Sequence, residues 1–200
     1  MLRQITKEEY NKFSIECGQN HFLNSYSFAE LRTTIGWDYE ILGYYNDDKL
    51  IFASIVLYRN LKLGKKLSYI SRGFIGDYLD TKNINLFIEA LKYYLKNKNV
   101  IVLKTDPDYI LNYLDKELNS KEHNDSSDLV MKNLVSAGFK HQGYLDNFEG
   151  MLPRHTVRID TSTSIDEIRK LMDKKNKRNV KIGSKKGLEL KRFYSFYSNR

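Results

Sequence analysis

The sequence predicts an α/β (α+β) protein: a mixed sheet flanked by helices, followed by the beginning of a second unit of the same kind. Three observations carry this reading. Two runs rich in aromatic and β-branched residues, Trp37–Tyr45 and Leu50–Tyr58, are joined by Asn46-Asp47-Asp48-Lys49 and read as an antiparallel hairpin. After a third strand, helical and strand-like stretches alternate, which packs helices against a growing sheet. The pattern then restarts near Thr156 with strand, two helices and strand, in a stretch too short to build a core of its own.

Taken in order, Thr6-Lys7-Glu8-Glu9 has capping-box spacing and opens a helix over Lys7–Cys17, which Gly18 ends. Ser27-Phe28-Ala29-Glu30 repeats the spacing and opens a short helix ended by Gly36. Phe28, Leu31 and Ile35 form its expected core face, and Arg32 lies on another face. The strand Leu50–Tyr58 is apolar on both sides and is expected inside the sheet. Leu67–Ile70 follows the turn Leu63-Gly64-Lys65-Lys66 and leads into the loop Ser71-Arg72-Gly73-Phe74-Ile75-Gly76-Asp77. Asn83–Lys96 carries Ile84, Phe87, Ile88, Leu91 and Leu95 as one stripe and is the clearest helix. Val100–Lys104 reads as a compact buried strand, closed by Thr105-Asp106-Pro107. A helix over Ser126–Ala137 and an irregular strand over Phe139–Asn147 complete the first domain, residues 1–148. His123-Asn124-Asp125 is expected in an exposed loop. Residues 149–200 hold a strand Thr156–Asp160, a polar turn Thr161–Ser164, a helix around Ile168, Leu171 and Met172, a basic helix Lys174–Lys186 ended by Gly187, and a strand Leu188–Leu190.

The net charge of +8 is unevenly spread. Residues 1–150 carry 19 basic and 20 acidic side chains; residues 151–200 carry 14 and 5. The positive charge of the last quarter points to a polyanion, whether phosphate, nucleic acid or an anionic membrane surface, or else to a solvated lysine-rich face. No apolar run reaches the length of a membrane span and no signal peptide is read at Met1, so the expected location is the cytoplasm. The single cysteine, Cys17, excludes an internal disulfide and is expected as a buried thiol.

No GxSxG, HExxH, Walker or GxGxxG pattern occurs, and His21, His123, His141 and His155 have no metal-ligand spacing; no metal is expected. Three local features remain. Arg72 beside Gly73 suits an anionic group approaching the backbone, or a plain turn. Asp106-Pro107 ends a strand and either faces a cleft or caps a turn. Arg154, in Pro153-Arg154-His155-Thr156, stands between the two units. Lys174, Lys175, Lys177, Arg178, Lys181, Lys185 and Lys186 form a segment able to track a phosphate backbone.

Together these features resemble the FemABX family of peptidoglycan interpeptide-bridge aminoacyltransferases. Phe22-Leu23-Asn24-Ser25, Phe28 to Arg32 and Gly36-Trp37 are similar to its opening segment. Leu67 to Asp77 resembles its Y-x-[PS]-[RK]-G-P-x-x-D loop, with Phe74 where proline is usual. Asp106-Pro107 matches its D-P. Pro153 to Asp160 resembles the lead-in to its second domain, and Met172 to Leu190 its M-x-x-K-x-R…K-x-G pattern, with Gly183 where alanine is common.

The resemblance implies two GNAT-like domains, of which this chain would be the N-terminal portion, and transfer of an amino acid from aminoacyl-tRNA to the stem-peptide amine of a UDP- or lipid-linked muramyl pentapeptide. Aminoacyl-tRNA is a co-substrate, and no cofactor is implied. The substrate amine is the nucleophile, so the protein needs none. Carried over residue by residue, Arg32 binds the acceptor diphosphate, with Arg72, Gly73, Arg154 and Thr156 as further substrate contacts. Asp106 faces the acceptor amine and serves as the catalytic residue. The Lys174–Lys186 cluster meets tRNA or an anionic membrane, which adds the inner face of the plasma membrane to the expected location. Two other readings stay open: an acyl-CoA-dependent GNAT acyltransferase, although no [RQ]-x-x-G-x-[GA] loop is present, and a non-catalytic basic RNA-binding module or remnant.

Overall fold

The computed structural model describes residues 1–115, 117–143, 156, 159–189 and 191, which fall into two compact units divided between Gln142 and Gly143. The first unit is built on a six-stranded mixed sheet. Its strands are β1 (Leu2–Gln4), β2 (Asp38–Asn46), β3 (Lys49–Asn60), β4 (Lys66–Ile70), β5 (Ile75–Gly76) and β6 (Val100–Thr105). The order is β1-β2-β3-β4-β6, antiparallel except for the parallel pair β4–β6, with β5 pairing to β3. The helix between β4 and β6 is α3 (Thr81–Asn97), the crossover a parallel pair requires.

Strand β3 is central, as its two-sided apolar run predicts. Phe52, Val56 and Tyr58 face a core shared with the α3 stripe Ile84, Phe87, Ile88, Leu91 and Leu95. Ala53, Ile55 and Leu57 face a second core under α1 (Lys7–Glu16) and α2 (Tyr26–Thr33), with Tyr10, Ala29, Trp37, Ile41, Tyr69 and Ile75. Rings fill the first core: Phe52 stacks on Phe87 at 4.9 Å and Phe74 on Tyr78 at 4.3 Å between centroids. Thr6 caps α1 by accepting from Glu9 N at 3.1 Å, as its spacing predicts. At the far side of the sheet Glu40 accepts from Lys98 Nζ at 2.6 Å, Tyr58 Oη at 2.7 Å, Gln4 Nε2 at 3.0 Å and Tyr94 Oη at 3.3 Å, joining β1, β2, β3 and α3.

Several expectations are corrected. The cap of α2 is Ser25, whose Oγ accepts from Phe28 N at 3.2 Å, and not Ser27. This start turns small Ala29, 1 % exposed, onto the sheet and leaves Leu31 and Ile35 57 % and 59 % exposed, so they are not core. Strand β6 is not buried: it ends the strand order, and Ile101 and Val102 are exposed because only one flank is paired among the described residues. Cys17 is exposed at the C-cap of α1, since the helix's inward face is set by Tyr10 and Ser14. His123 lies in a hairpin of β7 (Asn112–Leu114) and β8 (Ser120–His123), exposed as expected but within a strand. Its register brings His123 Nδ1 2.8 Å from Asn112 Oδ1. Helix α4 (Ser126–Ser136) follows, burying Val130 and Leu134. Residues 139–143 form no strand, and the rest of the expected strand to Asn147 lies outside the described residues.

The second unit holds α5 (Ile165–Leu171) and α6 (Lys174–Lys185). A reciprocal capping box, Ser164 with Glu167, starts α5, and Asp173 caps α6. Neither helix has a buried residue, and Ile165, Leu171, Val180 and Leu188 are all more than half exposed. Thr156, Ile159, Asp160, Leu188 and Glu189 are not in strands; Val157, Arg158 and Leu190, which complete those two expected strands, lie outside the described residues.

Candidate functional site

The parallel pair β4–β6 sets Ile70 opposite Thr105, so both chains leave the sheet side by side at their carboxyl ends. That is where open α/β sheets place ligand sites. From β4 emerges Ser71-Arg72-Gly73, and from β6 Asp106-Pro107. Arg72 and Gly73 both take positive φ, 57° and 81°. The resulting turn aims Arg72 N at Asp106 Oδ1, 3.1 Å away, while Tyr69 Oη donates to the same oxygen at 2.7 Å. The loop is pinned from behind by Gln19, which donates to Gly76 O at 2.9 Å and accepts from Gly76 N at 2.7 Å.

With Oδ1 held by two donors, Oδ2 is buried and makes no hydrogen bond; the Arg72 guanidinium stands 3.9 Å from it, its own Nε also buried and without a partner. Burial pushes the Asp106 pKa above the ordinary carboxylate value, against the pull of the Tyr69 hydroxyl, the Arg72 N–H and the Arg72 charge. Burial and Asp106 together raise Tyr69, which stays a neutral donor. The result is a fixed carboxylate with one oxygen free of hydrogen bonds and a raised affinity for a proton.

Arg32, on α2, packs its guanidinium 5.0 Å from the Trp37 ring and 5.9 Å from Phe28, and its Nε is buried without a hydrogen-bond partner. Arg59, at the end of β3, approaches the same Trp37 ring at 5.9 Å. The two guanidinium carbons are therefore at most about 11 Å apart. Arg59 is a residue that sequence reasoning missed. Its only signal was a basic residue closing an apolar strand, and the register that carries it to Trp37 is tertiary.

A shallow open depression, with room for little more than a water molecule at about 10 Å³, is lined by Leu23, Ser25, Phe28, Ile55, Leu57 and Ser71, among others. Its lining includes Phe28, whose ring lies 5.9 Å from the Arg32 guanidinium, and Ser71, the chain neighbour of Arg72. The first unit thus brings Arg72 and Gly73 to Asp106-Pro107, while Arg32 stands in a separate group with Phe28 and Trp37. Thr156 is exposed in the second unit, and Arg154 lies outside the described residues. Lys174, Lys175, Lys177, Arg178, Lys181, Lys185 and Lys186 are all exposed on or just after α6. Their spacing puts Lys174, Lys177, Arg178, Lys181 and Lys185 on one stripe. Among the described residues no cluster of His, Cys, Asp and Glu would hold a metal, and no helix is long and apolar enough to cross a membrane.

Fold and site together define an α/β protein whose carboxylate waits at the open end of a parallel strand pair. Residues 5–195 match the FemAB family, and the chain belongs to it. It is 28 % identical over 191 residues to "Aminoacyltransferase FemA" of Staphylococcus epidermidis, covering 94 % of this chain and 45 % of that protein. To "Lipid II:glycine glycyltransferase" of Staphylococcus haemolyticus it is 26 % identical, covering 94 % and 42 %. The crystal structure of FemX superposes with a TM-score of 0.71 at 23 % identity, over 92 % of this chain and 44 % of that one, and shares the fold. The chain spans less than half the length of the curated relatives it matches.

Proposed function

We propose that the first unit is the acceptor-binding part of an aminoacyltransferase that extends a peptidoglycan precursor, with aminoacyl-tRNA as donor. The observation that carries this is the Asp106 carboxylate: Oδ1 fixed by Tyr69 and Arg72 N, Oδ2 buried without a hydrogen bond, and its pKa raised. An incoming amine supplies the hydrogen bond that Oδ2 lacks once the Arg72 guanidinium beside it moves aside. In aminolysis of an aminoacyl ester the amine nitrogen attacks the carbonyl, the C–O bond to the tRNA ribose breaks, and the amine loses a proton. Oδ2 accepts a hydrogen bond from the amine, orients its lone pair, takes the proton as the C–N bond forms, and gives it up to the ribose oxygen, which leaves as a hydroxyl. A protein nucleophile is not needed. The printed names of the relatives, an aminoacyltransferase and a lipid II:glycine glycyltransferase, support the same reaction class.

Arg32 and Arg59 are assigned to the acceptor diphosphate. Two guanidiniums around one buried indole, Arg32 with an unpaired buried donor, match a dianion better than a lone surface cation does. Arg72 screens the carboxylate, and Gly73 lets Pro107 close on the loop. In the second unit the α6 stripe is assigned to the phosphates of the tRNA.

Calorimetric titration with a UDP-linked muramyl pentapeptide tests the reading. Binding in the micromolar range, about −8 kcal/mol, is expected, with Arg32→Ala and Arg59→Ala each weakening it at least about tenfold, the loss of one charged hydrogen bond. Unchanged affinity in both variants sinks the assignment.

A further inference from the structure

The turn between β3 and β4 carries apolar side chains that the fold does not use. Leu63 is 95 % exposed and held at φ 58°, ψ 32°, a left-handed conformation that glycine accepts more readily than leucine. Leu61 beside it is 43 % exposed. The turn is closed by its own backbone, Leu61 N donating to Lys65 O at 2.8 Å, so the leucines are presented rather than folded in. Around them stand Arg59, Lys62, Lys65 and Lys66, and no Asp or Glu occurs from Arg59 to Gly76. None of the four forms an ion pair among the described residues; the nearest strand-end acids are Asp38, opposite Tyr58 on β2, and Glu40, which is held by Lys98.

We propose that this turn docks the protein on an anionic lipid bilayer, with Leu61 and Leu63 entering the headgroup–acyl boundary and Lys62, Lys65 and Lys66 lying among the lipid phosphates. An apolar tip ringed by cations matches that interface on both counts. RNA rewards the cations alone and leaves the leucines in water. Arg59 stands four residues from Leu63, so their Cα atoms are at most roughly 14 Å apart and the Arg59 end of β3 lies close behind the tip. The docking rests on the turn and not on the acceptor assignment.

The test is co-sedimentation of the 200-residue chain with vesicles of equimolar phosphatidylglycerol and phosphatidylcholine, free of any acceptor. Leu63→Gly keeps every charge and suits the left-handed backbone, so the thermal midpoint holds or rises, while vesicle affinity drops about tenfold or more. The triple variant Lys62→Gln, Lys65→Gln, Lys66→Gln loses about fivefold per cation, roughly a hundredfold in all. Neutral phosphatidylcholine vesicles bind weakly. Equal vesicle affinity of Leu63→Gly and the parent chain overturns the proposal, as does failure of the folded parent chain to bind anionic vesicles. An equal loss by Leu63→Gly toward a single-stranded RNA also overturns it and makes the turn a nucleic-acid surface.

Discussion

Gly73 joins the stability of the first unit to the geometry of its carboxylate, and Gly73→Ala measures that link. Its φ is +81°, so a side chain there takes the left-handed conformation, at a cost of about 1–2 kcal/mol. The added Cβ would also overlap Tyr78 Oη and stand 3.0 Å from Pro107 Cα. Tyr78 has no room to retreat: it is 5 % exposed, stacks on Phe74 at 4.3 Å and donates to Phe74 O at 2.8 Å. Overpacking of this kind costs about 1–3 kcal/mol, so the total is about 2–5 kcal/mol. Gly36→Ala is the control. Gly36 has φ +83° but nothing within 4 Å of a built Cβ, so it carries the backbone cost alone, about 1–2 kcal/mol. Urea denaturation followed by circular dichroism gives both values, with an unchanged m-value as the sign that the unfolded state is untouched. Because Pro107 moves with Asp106, Gly73→Ala also weakens acceptor binding, and Gly36→Ala does not. Equal destabilisation by the two substitutions would refute the steric reasoning.

Three further outcomes follow from the same geometry. Burial alone would raise the Glu40 pKa, but Lys98, Tyr58 and Tyr94 pull it below the ordinary carboxylate value; its stabilisation is thus complete above the unfolded pKa of about 4.3 and fades as pH falls through the lower folded value. Glu40→Gln should lose about 1–3 kcal/mol at neutral pH and flatten the acid limb of the stability–pH curve; an unchanged acid limb counts against the network. Asp106→Asn keeps an acceptor for Tyr69 and Arg72 but removes the free carboxylate oxygen. It should weaken an acceptor bearing a free amine about tenfold or more, from a charged hydrogen bond of about 1.5–3 kcal/mol, and leave an N-acetylated acceptor unaffected; equal effects on both ligands reject the amine contact. Finally, Lys177→Gln with Lys181→Gln on the α6 stripe should lower the slope of log K against log salt for single-stranded RNA by about 1.4, and an unchanged slope removes α6 from the RNA surface.

Much of the site was legible from local chemistry. Asp106-Pro107 and Ser71-Arg72-Gly73 stand out because a strand that ends in an acid or in a glycine turn leaves the ladder at that residue. The two-sided apolar run of β3 and the α3 stripe also declare their places directly, since burial on both faces or on one stripe is written into residue spacing. The N-cap of α1, Thr6, reads correctly for the same reason, although Glu9 accepts from the Tyr45 hydroxyl and does not close a capping box. Helix α2 misled because Ser25 and Ser27 offer two starts, and moving the cap by two residues swings the helix by more than half a turn. Its large apolar residues then point outward while Ala29 meets the sheet. Strand β6 misled because Val-Ile-Val-Leu reads the same at an edge as in the middle.

The sequence by itself determined the α/β class, the family and the central strand, because each depends on residue type at short spacing. Only the tertiary structure decided that Tyr69 and Arg72 N seize one oxygen of Asp106 and leave the other free. It also decided that Arg59 joins Arg32 at Trp37, and that Leu63 stands in the open between lysines. Those arrangements come from strand register and turn geometry, which bring together residues up to 37 positions apart, a separation at which local propensity carries no information about contact.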